Sequence, residues 1–567
     1  MPLRGESRQR LRFGQVAGLS STMAVIDRIV RKLKVGRRGR KPSVLLMADR
    51  RGWIFDRCAQ ALASNLSDEF EFSIRYVEDG AEFDASQFDL VYLFFWGERI
   101  YRNMQVDPYR LVKHVASHRW EDDPLYGPCD AREFGWRYLR DCTVVHCTSK
   151  RLEALLQGQH QDVRSLPSGF DARQFFPRAR RTGPLVVGWA GNVQDAVKQV
   201  DSILAPACEG VFDLRLASGS LPARKMNEFY NQCDVIAVTS RHEGHPMPLI
   251  EGMAAGCFPV TTNVGVAPEI VRHGENGLIV PSTSEAFKGA LSWCAQNLQH
   301  VRSMGSANAA MIQQRLSWSA LEGQYRELFR DMLRRVSGPR FRNDDVSCDT
   351  PLQTFKAFCE IFWRHGYSQV HGVTLRGRTC DFTTYDGEPV PYSGMPPLSK
   401  LPNHVIRHIA DRESVAEHTE LVSFLNDAPD ELALHGLYHV DHSVMSGDEL
   451  RGDISEGLSI MKKTFPRKLV RYFIPPFNRS SDQLVDVCRE FDLHVLGTDG
   501  VHLEAQISDV TIEEGVWYRY HHHRFYPEST CRYYPTTLAS LDAALGRGRN
   551  GGSSLLGEDT RKREIAL

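Results

Sequence analysis

What this 567-residue chain lacks bounds it first. No apolar run approaches the roughly 18 residues needed to cross a bilayer. Neither sign of charge dominates: 69 Lys and Arg stand against 70 Asp and Glu, which gives no global electrostatic footprint for nucleic acid. The 13 cysteines include no C-x-x-C pair, so neither a disulfide framework nor a cysteine zinc site is indicated. A secretory signal is also absent, and a reducing cytoplasm is the expected compartment. No internal repeat is present. Single cores stop growing well below this length, so two to four domains are expected.

The charge balance breaks in the first forty-one residues, where twelve Lys or Arg face only Glu6 and Asp27. Met23, Ile26, Ile29, Val30 and Leu33 fall on one helical face there, with Arg28, Arg31, Lys32 and Lys34 mainly on the other. Such a helix would lie on an anionic surface, giving a cytoplasmic protein peripheral contact with the inner membrane. The same composition also suits a disordered basic leader over 1–40, with Met23 as an alternative start. At the other end, the Gly/Ser-rich stretch 546–567 reads as a disordered tail.

The stretch 240–281 carries the most chemistry. The β-branched run 234–239 (DVIAVT) before it reads as a buried parallel strand. A turn containing Gly244, His245, Pro246 and Pro248 follows, and from Leu249 the apolar spacing becomes helical, with Glu251 in the first turn where the helix dipole favours negative charge. Glu243 and Glu251, eight positions apart, therefore sit at a strand end and a helix start. Both face the crevice where open α/β sheets bind ligands. Paired carboxylates around such a turn suit a ligand rich in hydroxyls, each charge-assisted hydrogen bond being worth roughly 1.5–3 kcal/mol. Gly244 removes a side chain that would keep backbone N–H groups from a phosphate.

The run E-G-x-P-x-P-L-I-E-x-M-A-x-G-x-P-V, followed by V-G-x-x-P-E-I-V-x-x-G-x-N-G-L-x-V-P, resembles the donor-site signature of retaining family 4 glycosyltransferases. The resemblance implies a GT-B fold of two Rossmann-like domains, here 41–166 and 167–336, in which Glu243 is the catalytic candidate on the donor sugar and Glu251 contacts the ribose. The connection 167–177 (PSGFDARQFFP) is similar to the family's link between the two halves. Strands are expected at 43–48, 88–96, 111–116, 143–148 and 185–190, with an amphipathic closing helix over 318–333. Gly52 matches the family's glycine turn after the first strand, and His118 the histidine contacting the donor sugar. Gly191 and Asn192 open a turn toward Lys198, putting free N–H groups and a cation near a pyrophosphate. Lys198 corresponds to the donor-phosphate lysine, while Trp189 and Ala190 occupy the stretch where a companion arginine is usual.

A different pattern begins after the linker at 337–339. Adjacent Asp344 and Asp345 end an expected strand (FRNDDV), and LALHGLYHVDHS places His435 and His439 four apart, a spacing that on one helical turn aims two imidazoles at one metal. One Asp with two His leaves coordination positions open, as a hydrolytic site needs. These motifs, with RYFIPPF over 471–477, resemble the polysaccharide deacetylase family of NodB-like (β/α) barrels, here over 340–545. Gly436 replaces the family's usual Ser or Thr, and ninety residues separate Asp345 from His435. The resemblance implies Asp345, His435 and His439 as ligands to Zn2+ or another divalent metal, Asp344 as base and Arg471 as a substrate contact. It also implies a late histidine acting as acid, for which His523 is the candidate among His521, His522 and His523.

The expectation is an α/β protein: a GT-B glycosyltransferase moving a hexose-type sugar from a nucleoside diphosphate to a glycan or lipid-linked glycan of a surface polysaccharide, fused to a carbohydrate deacetylase. The transferase half needs no cofactor on this reading. A phosphorylase or hydrolase on the same fold, or a carbohydrate-binding scaffold with one or both sites degenerate, remain alternatives.

Overall fold

The computed structural model describes residues 40–80, 85–96, 106–122, 127–178, 182–219, 221–377, 401–410, 413–497, 500–525 and 536–547. The amphipathic segment expected from the sequence lies outside them, as does the expected tail from 548 on, while residues 546 and 547 end the helix Leu538–Arg547. No helix among the described residues is long and apolar enough to cross a membrane.

Three parallel sheets form the frame. The first contains β1 (Ser43–Ala48), β2 (Glu71–Tyr76), β3 (Leu90–Leu93), β4 (Leu111–Val115), β5 (Val144–Cys147) and β6 (Val163–Ser165), in the order β2-β1-β3-β4-β5-β6. Its central strands β1, β3, β4 and β5 are buried at every position, the pattern of a sheet covered on both faces, and they take Lys113, His114 and His146 inside with them. The second contains β7 (Val186–Ala190), β8 (Asp213–Ala217), β9 (Val235–Val238), β10 (Phe258–Thr261) and β11 (Leu278–Ile279), in the order β11-β10-β9-β7-β8. Helices α1 (Ile54–Asn65), α2 (Lys150–Leu156) and α3 (Met247–Ala254) follow β1, β5 and β9 respectively. Helix α4 (Trp318–Ser337) starts at the second sheet, capped by Ser317, and returns to the first. There Phe329 packs against Phe70, Phe72 and Tyr92, while Arg326 and Arg330 bond to Glu69. At the crossing, a Cβ on Gly169 would come within 2.5 Å of the Trp318 ring, so only glycine lets the interdomain connection and α4 meet.

The third sheet contains β12 (Arg340–Val346), β13 (Gln369–Val373), β14 (Glu431–Leu434), β15 (Tyr472–Phe473), β16 (His494–Val495), β17 (Val501–His502) and β18 (Trp517–His521). The order is β16-β15-β14-β13-β12-β18-β17, all parallel. Where a (β/α) barrel is expected from the sequence, the described residues give a seven-stranded parallel sheet with the two-residue strands β16 and β17 at its ends.

The linker is short. Gly338 and Pro339 alone separate α4 from β12, and the third domain docks on the first sheet. Arg340 pairs with Asp107 and lies over the Tyr109 ring, 4.4 Å from its centroid. Arg140 donates to the carbonyls of Val470 and Phe491. In return Arg471, almost fully buried, donates to the Cys142 carbonyl and lies 3.0 Å from Glu431. Arg471, expected as a substrate contact, lies just before β15 and bonds across to the first domain.

Breaking a buried ion pair by removing one partner is more damaging than never having made it. Arg471→Ala should lower stability by about 3–5 kcal/mol, read as a lower urea midpoint of the full chain and faster proteolysis at 337–340. An unchanged midpoint and an intact linker would remove this role.

Candidate functional site

The transferase-like cleft is built at the carboxyl ends of β7 and β9. After β7, Gly191 (φ +155) turns the chain and the Asn192 side chain accepts from Gln194 N at 3.0 Å, tightening the turn. That turn delivers Lys198, whose ammonium pairs with Glu243. Ser240 Oγ donates to the same carboxylate at 2.8 Å, and Thr239 Oγ1 donates to the Lys198 carbonyl at 2.6 Å, so the two loops are tied together. In the first domain Gly52 (φ +76) makes the turn into α1, with its N–H on Asp56 at 2.7 Å.

Glu251, expected to face the crevice and contact a ribose, is buried between the two domains. It is 4 % exposed, Oε1 accepts from Arg57 of α1 at 2.7 Å, and Oε2 accepts from the Tyr230 hydroxyl at 3.0 Å. Burial pushes its pKa up against the opposing charge of Arg57. At Gly244 a Cβ would lie 2.1 Å from the Ala116 carbonyl oxygen and 2.6 Å from Thr148 Oγ1, so glycine lets the two domains touch here. Further ion pairs cross the cleft, Arg119 to Asp195 at 3.2 Å and Arg241 to Asp122 at 3.1 Å. His118 is buried at the end of this seam, and burial with neighbouring His242 lowers its pKa to about 4, keeping the ring neutral. A cavity of about 550 Å³ opens between α1, the connection at 169–174 and the start of α4, with Arg57 and Met247 in its wall.

In the third domain the ligand atoms of Asp345, His435 and His439 lie within 4.8 Å of one another. The two histidines do not share a helical turn as their spacing predicts; they lie in the loop after β14. Gly436 (φ +88) bends that loop where a Cβ would meet the Tyr438 carbonyl at 2.5 Å, which is why glycine and not Ser or Thr stands there. Asp345 is itself left-handed (φ +70), at an irregularity in the pairing of β12 with β13 that re-aims its side chain. His435 Nδ1 is 2.7 Å from the Ile474 carbonyl, which can only accept, so Nδ1 carries the hydrogen. Nε2 then faces Asp345 Oδ1 at 3.1 Å, and His439 Nε2 lies 3.3 Å from the same oxygen. A neutral His435 with its hydrogen on Nδ1 turns the Nε2 lone pair toward that carboxylate, an arrangement a divalent cation relieves, so the donor set fits a metal. Burial pushes Asp345 up, but bonds to His435 and His439 outweigh it and hold the carboxyl well below its ordinary range.

Two residues that motif reading passed over complete the site. Arg342 holds both oxygens of Asp344, at 2.8 and 2.7 Å, a pairing that strand alternation between i and i+2 could have revealed. Glu504, inconspicuous in HLEA, accepts from the backbone and ring of His521, from His502 at 3.0 Å and from Arg524 at 2.9 Å. Of the three neighbouring histidines, His521 lies 3.8 Å from Asp345 Oδ2. His522 is bonded to the Asn343 side chain and the Asp344 carbonyl, and His523 Nδ1 is buried without a hydrogen-bond partner.

Comparison with known proteins adds a similarity within the second domain. Residues 217–311 match the model for glycosyl transferases group 1. Alpha-maltose-1-phosphate synthase of Mycolicibacterium smegmatis is 30% identical over 148 residues, 25% of this chain and 36% of that protein. The MMP alpha-(1->4)-mannosyltransferase of Mycolicibacterium hassiacum is 23% identical over 259 residues, 39% of this chain and 62% of that protein. The chain thus spans less than two thirds of the length of either relative. Among solved structures, sucrose-phosphate synthase from Thermosynechococcus elongatus aligns at 15% identity with a TM-score of 0.41, over 52% of this chain and 99% of that one.

The Glu504 network makes a pH dependence. Burial pushes its pKa up, but the charge of His521 and bonds from His502 and His521 carry it from 4.5 down to about 2. The unfolded chain binds this proton more readily, so the stabilisation is complete above about pH 4.5 and is lost as pH falls toward about 2. Across that window wild type should lose on the order of 3 kcal/mol more than Glu504→Gln, measured by urea unfolding at stepped pH. Parallel pH profiles would contradict it.

Proposed function

We propose that the first two domains transfer a hexose-type sugar, with retention, from a nucleoside diphosphate to a glycan acceptor, and that the third removes an acetyl group from a carbohydrate. The observation that carries the first part is the Lys198–Glu243 pair at the floor of the interdomain cleft, beside the group 1 sequence match. Lys198 and the amides of the Gly191–Asn192 turn would hold the diphosphate and stabilise its departure electrostatically. Glu243 would orient the donor sugar, and Glu251 the ribose once Arg57 has left it. His118 would meet a sugar hydroxyl. The cleft described here is the closed form of this reading, since Gly244 touches the opposite domain.

For the third domain, Asp345, His435 and His439 would hold a divalent ion, which would supply Lewis-acid polarisation of an amide or ester carbonyl. Asp344, oriented by Arg342, would take a proton from the attacking water. The geometry favours His521 over His523 as the group that returns a proton to the leaving amine or alcohol, because Glu504 anchors its other nitrogen.

Calorimetric titration of the full chain with UDP-, GDP- and ADP-sugars tests the transferase reading. One donor should bind, and Glu251→Ala or Lys198→Ala should weaken it at least tenfold, about 1.4 kcal/mol; a wild type that binds no nucleotide sugar sinks the reading. Acetate release from an N-acetylated oligosaccharide tests the hydrolase reading. It should vanish on chelation and in His435→Ala/His439→Ala, and activity surviving both would exclude a metal at this centre.

A further inference from the structure

We propose that His118, Glu121 and His242 form a binding site for a Zn2+-class divalent cation that bridges the two domains of the cleft, separate from the centre around Asp345. His118 and Glu121 flank one 3₁₀ turn, Arg119–Glu121, that follows β4. Three residues apart in that geometry, their side chains eclipse and project the same way. His242 reaches them from the loop after β9, in the second domain. The ligand atoms of all three lie within 4.8 Å of one another, and the imidazole centroids of His118 and His242 are 4.3 Å apart.

The unfilled bonding capacity at this point marks a ligand. His118 is 1 % exposed, and its Nδ1 is buried without a hydrogen-bond partner. The Nδ1 atom of His242 is in the same condition. Buried polar atoms in a native fold are almost always bonded, so two such nitrogens on residues grouped with a carboxylate point to an occupant. Two imidazoles and a carboxylate are the donor set of open zinc sites, whose remaining position is left to solvent or ligand.

His242 Nε2 lies 3.0 Å from Asp122 Oδ1, and Arg241 lies 3.1 Å from the other oxygen of that carboxylate. Asp122 Oδ1 is itself buried without a hydrogen-bond partner, which adds to the unfilled bonding capacity of the group. By contrast, the superficially similar group His502, Glu504 and His521 is closed by Arg524 on the same carboxylate. An ion at the interdomain site would tie the domains in their closed form and would occupy the His118 nitrogen otherwise available to a donor sugar. The proposal does not depend on the transferase reading.

Full-length protein stripped with chelator, re-equilibrated with Zn2+ and desalted gives the test by elemental analysis. Wild type should retain one equivalent more than His118→Ala/His242→Ala, and His435→Ala/His439→Ala should keep that equivalent, which separates this site from the other. Glu121 is exposed, so Glu121→Gln leaves packing intact and should weaken Zn2+ binding there at least tenfold. Equal zinc content in wild type and the His118/His242 variant, or unchanged affinity in Glu121→Gln, overturns the proposal. Loss of nucleotide-sugar binding without loss of zinc in the His118/His242 variant also overturns it, because the nitrogens would then serve the donor.

Discussion

A carboxylate withdrawn from water must be met by positive charge or by several donors, and that constraint organises both sites. Glu243 is met by Lys198, Glu251 by Arg57, Asp344 by Arg342 and Glu504 by Arg524 together with two histidines. In three of these pairs the cation comes from a distant part of the chain, so the acid fixes tertiary geometry as well as chemistry. Asp345 is met by the imidazoles of His435, His439 and His521. Imidazole is the one such partner that readily gives up its proton and becomes a ligand, which is why the metal candidate falls at this acid.

The fold was largely legible because its signal is local. Apolar, β-branched runs such as SVLLMA and VIAV need nothing beyond their own composition to read as buried strands, and the helix carrying Glu251 announces itself through apolar spacing. Candidate residues that belong to one motif were legible for the same reason, and the structure brings Lys198 to Glu243 and Asp345 to His435 and His439. What stayed hidden depends on sequence separation. Nothing near Glu251 names Arg57, 194 residues away, and nothing near Gly244 names the carbonyl of Ala116.

Two local inferences failed for a common reason. The i, i+4 spacing of His435 and His439 predicts a helical turn, yet Gly436 adopts a left-handed conformation and the pair meets across a loop. Arg471, read from its motif as facing the site, faces the other way. In both cases a motif recorded which residues recur together without recording the backbone that presents them. The same motif still serves the site through its other members, as the Ile474 carbonyl orients His435 and Phe477 packs edge-on against His439.

The docking of the third domain on the first reaches further than the placement of a few arginines. Arg140 and Arg471 each satisfy main-chain carbonyls that belong to the opposite partner, so neither surface is a finished exterior. Separated from its partner, each half would leave those carbonyls and guanidinium groups to water, so the seam couples the stability of one half to the presence of the other.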